Sequence, residues 1–432
     1  MKSNYYLIYP IYLIILFLYR IPPFYIFPLI KTVLFTSHTI ASLVSILLFG
    51  SLLFIKSHKT KKKTNSILEY LIIFYVITQS ISVVYALNIA EFVRIYKNVI
   101  LAMIIFILTI RLINNNKSFY TVARIFFISS ILNIVVQLIV YFKPQPEYSI
   151  LLNIIYEPLV KEIQTGEYHG RFFAGFFYDG ALLAFTYFYL FLKSKSKLFK
   201  IFYIIWTTAI FFIAQISNFR IVLVVALMSL FGSLLIHFQK KVVLLLIVIF
   251  IGLYIGNVIS TTFYSSSSLG RLLFTAEDSI STITTRIELW KKAVNIWSYS
   301  PIIGIGLGNY YDFLDSKKTV LTLSEEKNNL IKGTMQHPHN IFFASLVETG
   351  LLGLLSIILL LVYLGVSDIQ LFFKADKEVK YIIISYWVLF ISSMTGPRTA
   401  ITYLGLLWLL RGLIINKTSI LDIKNHGEVN KA

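Results

Sequence analysis

The residues best suited to chemistry lie in one polar stretch between two long apolar segments. The tetrapeptide His337-Pro338-His339-Asn340 stands immediately before an apolar run, and Arg286 lies upstream of it in the same stretch. Proline disfavours helix at the residue before it, so the next helix should begin near His339 or Asn340. The positive end of a helix dipole disfavours imidazolium, and a neutral ring can accept a proton near pH 7. We therefore interpret His339 as a candidate general base.

Three arginines are candidate ligands for an anion: Arg171, Arg220 and Arg286. A guanidinium presents a planar fork that binds phosphate oxygens in bidentate fashion, which an ammonium cannot do. Seven of the 10 arginines map to the outer side of the topology described below, whereas 19 of the 29 lysines map to the inner side. A single outward arginine is equally well explained by snorkelling to lipid headgroups or by pairing with a carboxylate. The set of three is better explained by a phosphate-bearing ligand.

Metal-dependent chemistry is a weaker interpretation of the same histidines. The sequence contains no cysteine, which excludes thiolate catalysis, thiolate metal sites and disulfides. The His-Pro-His spacing also lacks the helical HExxH arrangement and other obvious zinc ligands. We therefore expect no bound metal and no cofactor.

The composition is that of a membrane protein. Of 432 residues, 57% are hydrophobic and only 14% are charged, whereas soluble globular chains carry about 25% charged residues. Apolar runs close to the ~20 residues that cross a bilayer as a helix recur along the chain, without the alternation typical of barrel strands. The sequence thus predicts an all-α, polytopic transmembrane helical bundle of about twelve spans. The predicted spans lie near residues 5–19, 33–55, 67–87, 97–113, 119–142, 177–192, 201–217, 220–238, 242–262, 340–366, 379–395 and 399–416.

Lysine-rich loops orient the predicted bundle. Residues 56–63, 193–200 and 240–241 carry clusters of lysine and fall on one side of the twelve-span topology, together with both termini. Basic loops remain cytoplasmic, so we expect cytoplasmic N- and C-termini. The opposite side then carries a large outer loop, residues 263–339, between spans nine and ten. We expect one integral membrane domain over residues 1–432, whose first span is retained and not cleaved.

The net charge of +19 would suggest nucleic acid in a soluble protein. In a polytopic chain, basic cytoplasmic loops together with an anionic lipid or substrate explain it. We therefore expect membrane lipids as partners, and no nucleic acid.

An amphipathic helix is predicted inside the outer loop. Thr285 and Glu288 have the spacing of a capping box, with Thr285 as the N-cap, and Pro301 ends the helix. Arg286 would then lie in the first turn, where free backbone N–H groups attract anions. Five apolar residues recur at helical spacing and predict one apolar face: Ile283, Ile287, Trp290, Val294 and Trp297. Such a helix suits the membrane–water interface, but a helix packed on the protein's own outer surface explains the pattern equally well.

The order of motifs in this region is distinctive. From residue 286 onward the chain has an Arg, a Trp four residues later, a Pro, a G-x-G turn, a His-Asn pair and a helix with Glu and G-L-L-G. The residues that carry these motifs are Arg286, Trp290, Pro301, Gly304, Gly306, His339, Asn340, Glu348, Gly350 and Gly353. Gly308 extends the G-x-G turn, which we predict to be flexible.

These motifs resemble the O-antigen ligase and O-antigen polymerase family of bacterial membrane proteins. Upstream, Arg171 with Gly175 resembles the family's Arg-x-x-x-Gly-Phe motif. Ser217 with Arg220 resembles its Ser-Arg motif, with two residues inserted. The resemblance covers a catalytic region at residues 165–365.

The resemblance implies a metal-independent membrane glycosyltransferase at the outer face of the bacterial cytoplasmic (inner) membrane. Its donor would be a glycan on undecaprenyl pyrophosphate, and its product an O-antigen, capsule or exopolysaccharide. The acceptor would be the lipid A core for a ligase, a second lipid-linked repeat unit for a polymerase, or a protein for an O-oligosaccharyltransferase. Other membrane proteins of polysaccharide assembly are candidate partners. The sequence leaves the acceptor and the sugar open.

The resemblance also implies roles for individual residues. The arginines would hold the pyrophosphate, and the general base would deprotonate the acceptor hydroxyl in an inverting displacement. The pyrophosphate ligands would be Arg171, Arg220 and Arg286, the general base His339, and the supporting residues His337, Asn340, Trp290 and Glu348.

Two other classes of function remain as alternatives. A transporter or flippase for the same lipid-linked glycan predicts charged residues inside several spans and inverted repeats. The sequence has few charges inside its apolar runs and no internal repeat. A sensor or structural membrane protein would need no set of outward arginines, so glycan transfer is the preferred hypothesis.

Overall fold

A computed structural model describes eight stretches of the chain, residues 2–20, 37–54, 66–142, 176–216, 220–237, 276–316, 338–392 and 401–429. Every regular element in these stretches is helical. The predicted all-α class is therefore confirmed for the part of the chain that is described.

The described helices are numbered in chain order. The first nine are α1 (Lys2–Arg20), α2 (Ser37–Phe54), α3 (Ser66–Ile81), α4 (Ile89–Leu112), α5 (Asn116–Phe142), α6 (Phe176–Leu183), α7 (Tyr189–Lys193), α8 (Lys197–Ile216) and α9 (Arg220–His237). The next five are α10 (Ala276–Trp297), α11 (Tyr310–Ser316), α12 (Ile341–Lys374), α13 (Lys377–Ser392) and α14 (Ile401–Val429). A 3₁₀ turn, Ser82–Tyr85, follows α3, and a π-helical turn, Ala184–Phe188, joins α6 to α7.

Eleven of the twelve predicted spans coincide with a described helix, and the span near 242–262 lies outside the described residues. Within the described chain, four segments are long and apolar enough to cross a membrane: Ser66–Tyr85, Ile89–Leu112, Asn116–Val135 and Ile341–Lys374. Shorter apolar helices cover Ile8–Arg20, His38–Leu52 and Leu223–Ile236. The chain is thus a membrane protein, whereas the count of twelve spans and the large outer loop stay predictions.

Close helix packing explains how these segments form one bundle. The side-chain amide of Asn416 on α14 donates to the carbonyl oxygens of Thr109 (2.9 Å) and Ile113 (2.7 Å) at the end of α4. The rings of Trp408 and Phe106 meet edge to face at 5.3 Å. The Thr109 carbonyl also accepts from the amide of Ile113, whereas the Ile113 carbonyl lies just past the last turn of α4, where helical donors end, and Asn416 supplies its donor.

Two buried ion pairs join helices inside the bundle. Arg20 of α1 pairs with Asp179 of α6, and Arg411 of α14 pairs with Asp368 of α12 at 2.6 Å. The indole N–H of Trp387 donates to the second oxygen of Asp368 at 2.9 Å. All four charged side chains are almost completely buried. Because an unpaired charge there would cost several kcal/mol, each pair fixes its helices in one arrangement.

Candidate functional site

Helix α10 carries Arg286, and it begins well before the predicted start. It runs from Ala276 to Trp297, so the capping box at Thr285 and Glu288 is wrong. No Gly or Pro interrupts the sequence between Ala276 and Trp297, and the helix therefore continues through the Ser and Thr residues. Arg286 consequently lies in the middle of α10, not in its first turn, and the free N–H groups of a helix start do not contribute to its environment.

The buried face of α10 also differs from the predicted apolar face. Leu289, Ala293 and Ile296 are fully buried, and Ala293 and Ile296 form a cluster with residues of three other segments. The partners in that cluster are Ile305, Tyr310, Phe313 and Val347. The buried face includes Lys292, which is only 8% exposed. Because Lys292 is charged, a search for apolar residues at helical spacing does not identify this face.

Helix α12 breaks at Gly350, which has a φ of 67°. In an unbroken helix, the carbonyls of Val347 and Glu348 would accept from the amides four residues later. Here they accept from the glycine-rich turn, because Ile305 donates to Val347 and Gly306 donates to Glu348, both at 3.0 Å. The turn thus takes the place of the missing helical donors.

The backbone amides that follow the break also bond to the glycine-rich turn in place of helical partners. The amide of Leu351 donates to the carbonyl of Pro301 at 2.9 Å, and the amide of Leu352 donates to that of Ile302 at 3.1 Å. The segment between Pro301 and Gly306 is therefore inserted into α12, and all four backbone groups released by the break have new partners.

Two glycines make this insertion possible. Gly304 has a φ of 75°, and a Cβ at this position would overlap the backbone of Glu348. A Cβ at Gly350 would overlap the carbonyl of Ile302. Only glycine adopts the left-handed conformation and also leaves room for such close backbone contact.

The end of the glycine-rich turn, at Leu307 and Asn309, forms hydrogen bonds with the connection between α3 and α4. The amide of Leu307 donates to the Ser82 hydroxyl at 3.3 Å. The side chain of Asn309 accepts from the amide of Asn88 at 2.5 Å and donates to its carbonyl at 3.3 Å. Asn88 in turn caps α4, since its side chain accepts from the amide of Glu91 at 3.1 Å. The turn therefore links α12 to the start of α4.

Glu348 completes the hydrogen bonding of the turn. Its carboxyl is almost completely buried and accepts from the backbone amides of Gly308 and Tyr310. Burial and the nearby Glu348 carboxylate raise the pKa of the Tyr310 phenol. Every backbone amide from Gly304 to Tyr310 has an acceptor within the protein. Hydrogen bonds therefore hold the turn along its whole length, and its amides are not available to bind a phosphate, whereas its flexibility stays a prediction.

The predicted start of the helix after the histidines is confirmed. Asn340 is the N-cap of α12, and its side chain accepts from the amides of Phe342 (2.9 Å) and Phe343 (3.4 Å). His339 precedes the cap and has a φ of 53°, an uncommon conformation for a residue other than glycine. Such a conformation costs of order 1–3 kcal/mol and persists only where its surroundings enforce it.

Trp290 supplies part of that enforcement. Its indole N–H donates to the carbonyl of Pro338 at 3.1 Å, and its ring stacks on that of Phe343 at 5.2 Å. Trp290 therefore contacts the chain on both sides of the His339–Asn340 pair, at Pro338 and at Phe343. This contact joins the middle of α10 to the start of α12.

Arg286 lies one turn before Trp290 on the same side of α10, where Cβ atoms are about 5–6 Å apart. It is half-buried, and this burial lowers the pKa of its guanidinium. Among the described residues, Arg286 makes neither an ion pair nor a hydrogen bond. A guanidinium stays charged at neutral pH. A partly desolvated cation that has no counterion among the described residues fits an anionic ligand.

Lys292 is a further cation on this helix, and the sequence analysis did not single it out. Burial lowers the pKa of its ammonium, and the nearby Glu288 carboxylate opposes that effect. Glu288 itself pairs with Lys291 at 3.1 Å.

The sequence analysis also missed Asn309. An Asn directly after a glycine-rich turn and before a helix indicates a side chain that bonds to nearby backbone, and this signal could have been used.

The remaining predicted site residues are described only in part. Arg220 is the first residue of α9, and its side chain is not described. Arg171 and His337 lie outside the described residues. The described residues thus bring Trp290 to the His339–Asn340 pair at the contact between α10 and α12, with Arg286 one helical turn before Trp290. The convergence of Arg286, Arg171 and Arg220 on this place stays a prediction.

No group of three or more His, Asp or Glu residues that could hold a metal ion occurs within the described stretches.

Residues 203–358 match the family model for O-antigen ligases. The matched range includes α9, α10, the glycine-rich turn and the start of α12, and it supports glycan transfer in a membrane. No curated protein matches the chain.

Proposed function

We propose that this membrane protein, a member of the O-antigen ligase family over residues 203–358, transfers or polymerises a glycan from an undecaprenyl-pyrophosphate donor onto an acceptor hydroxyl at the outer face of the bacterial cytoplasmic membrane. One observation carries the proposal. Trp290, one helical turn after Arg286, donates to the carbonyl of Pro338 directly before the strained His339, and Arg286 has no ion pair or hydrogen bond among the described residues.

The arginine side of the site would act on the leaving group. The bond that breaks joins the anomeric carbon to a phosphate oxygen, and undecaprenyl pyrophosphate leaves with both electrons. The guanidinium of Arg286 would bind these oxygens and stabilise the charge that develops on them. We propose that Arg171 and Arg220 bind the same pyrophosphate.

The histidine side of the site would act on the acceptor. His339 would take the proton of the acceptor hydroxyl as its oxygen attacks the anomeric carbon from the face opposite the pyrophosphate. The new glycosidic bond then has inverted configuration. The proton would pass from His339 to water, so the step needs no metal and no cofactor.

The supporting residues would set the position of His339. Asn340 caps the helix that follows it, and Trp290 holds the carbonyl that precedes it. Glu348 holds the glycine-rich turn that is inserted into the same helix. By fixing the backbone around His339, these contacts would keep the base in one orientation, as efficient proton transfer requires.

A transporter or flippase is the alternative, and the buried charges of the bundle bear on it. Arg20 pairs with Asp179, and Arg411 pairs with Asp368. Each of these charges is neutralised by its partner and buried between helices, which favours a structural role over a substrate pathway.

The test is transfer in vitro. Purified protein would be incubated with a synthetic glycan on undecaprenyl pyrophosphate, with a chelator present, and with lipid A core, a second lipid-linked unit or a protein as the acceptor. A new glycosidic bond of inverted configuration with one of these acceptors would support the proposal and identify the acceptor class. Movement of the donor across vesicles without any new bond would support the flippase instead.

A further inference from the structure

One side of α12 is apolar and exposed beyond the break at Gly350. Its exposed residues recur with the period of a helix and include Leu351, Leu355, Ile358, Val362, Val366 and Ile369. Because α12 is long and apolar enough to cross a membrane, an apolar stripe of this kind contacts lipid acyl chains. We refer to it as the lipid stripe.

The lipid stripe begins where the glycine-rich segment enters α12. Leu351, its first residue, donates its amide to the carbonyl of Pro301. The same carbonyl accepts from the indole N–H of Trp297 at 2.9 Å. The next residue, Ile302, has 62% of its surface exposed. Pro301 and Ile302 therefore extend the stripe from α12 toward the end of α10.

Helix α10 continues the same apolar surface. Ile287 and Val294, two helical turns apart, are 40% and 41% exposed, although large apolar side chains are costly to leave in water. Lys291 and Asn295 are exposed too and supply a polar edge beside them. We call the surface formed by Ile287, Val294, Trp297, Pro301 and Ile302 the apolar ridge.

We propose that the apolar ridge contacts the acyl chains of one membrane leaflet, so that α10 lies at the membrane–water interface. Three observations carry this inference: the ridge is exposed, it borders the lipid stripe through shared hydrogen bonds, and its helix has a polar edge. In the predicted topology this leaflet is the outer one.

The inferred position of the ridge bears on the proposed binding of a lipid-linked phosphate at Arg286. Arg286 precedes Ile287, so a ridge immersed in acyl chains would hold the guanidinium near the level of the lipid phosphates. The position of the ridge does not depend on the proposed glycan transfer, and its test does not use activity.

The absence of cysteine makes the test direct. Single variants Ile287→Cys, Val294→Cys and Ile302→Cys would be labelled with the fluorophore NBD and reconstituted into phosphatidylethanolamine–phosphatidylglycerol vesicles. Leu355→Cys on the lipid stripe is the control for lipid contact, and Asn295→Cys on the polar edge is the control for water contact. Quenching would be measured with lipids that carry a nitroxide on the acyl chain, and separately with iodide on both sides of the vesicles.

We expect labels at 287, 294 and 302 to be quenched by the nitroxide lipids about as strongly as the label at 355, and to resist iodide. The label at 295 should show the reverse. If the three ridge labels are quenched by iodide like the label at 295, the ridge is in water and the inference is wrong. Resistance of all three to both quenchers would equally overturn it, because a protein surface would then cover the ridge.

Discussion

The backbone amide of Leu351 donates a hydrogen bond of 2.9 Å to the carbonyl of Pro301, although the two residues are far apart in the sequence. This bond and its three neighbours replace helical bonds that the break at Gly350 removes. A buried backbone group without a partner costs roughly 1–3 kcal/mol. The inserted turn removes that cost for four groups and makes α10 and the start of α12 one rigid unit.

The first prediction concerns the glycines of the insertion. Gly304→Ala and Gly350→Ala should each lower the melting temperature, because an added Cβ overlaps backbone atoms and the left-handed conformation alone costs about 1–2 kcal/mol. The measurement is thermal unfolding of the purified protein in detergent, followed by tryptophan fluorescence. Gly50→Ala is the matched control, since a Cβ there meets nothing within 4 Å. Wild-type melting of both site variants would contradict the insertion.

The second prediction concerns the link between Asn309 and Asn88. Asn309→Ala leaves the amide of Asn88 without its acceptor, at a cost of about 1–3 kcal/mol, whereas the carbonyl of Asn88 still accepts from the amide of Phe92. Asn309→Asp keeps an acceptor but sets an oxygen against the Asn88 carbonyl, so it should be no better. Both variants should speed hydrogen–deuterium exchange at the start of α4, whereas the exposed control Asn295→Ala should not. Unchanged exchange there would show that the link does not hold the turn.

Much of the fold could be predicted from the sequence because it follows from local chemistry. Apolar runs of membrane-spanning length indicate helices wherever they occur, and eleven of the twelve predicted runs coincide with described helices. The Pro338–Asn340 signal also fixed the start of α12 to within one residue. The start of α10 could not be predicted in this way, since a Thr-x-x-Glu pattern occurs inside helices as well as at their ends.

The insertion could not be predicted from the sequence. The glycine spacing indicates positive φ angles, but nothing in the sequence states that Val347 and Glu348 are the partners of Ile305 and Gly306. Such partners are set by tertiary packing between distant segments. The same limit applies to Lys292, whose burial depends on the neighbours of α10 and not on its own sequence.

The third prediction concerns the arginines. Arg286→Lys keeps the charge but loses the planar fork, so turnover should fall on the order of 10-fold or more if the contact with phosphate is bidentate. Arg171→Lys and Arg220→Lys should behave similarly. Arg94→Lys is the matched control, because Arg94 is exposed and already pairs with Glu91. Full activity of all three site variants, at equal protein levels, would exclude a bidentate phosphate site.

The fourth prediction concerns topology. The lysine-rich stretch 56–63 predicts that position 60 is cytoplasmic, whereas position 320 belongs to the predicted outer loop. In whole cells, an impermeant thiol reagent should label Val320→Cys and leave Thr60→Cys unlabelled until the membrane is opened. The cysteine-free parent supplies the background. Labelling at 60 but not at 320 would reverse the predicted orientation, and with it the side on which transfer takes place.

The fifth prediction concerns the general base. His339 directly precedes the cap of α12, between the carbonyl that Trp290 holds and the side chain of Asn340. Base catalysis contributes about 10²- to 10⁴-fold in rate, so His339→Ala should nearly abolish transfer while the protein still inserts and still binds the lipid-linked donor. His337→Ala should be milder, and it serves as the matched control. Donor binding and transfer would be measured on the same purified protein. Near-normal turnover of His339→Ala, or loss of wild-type activity by a chelator alone, would rule out this role.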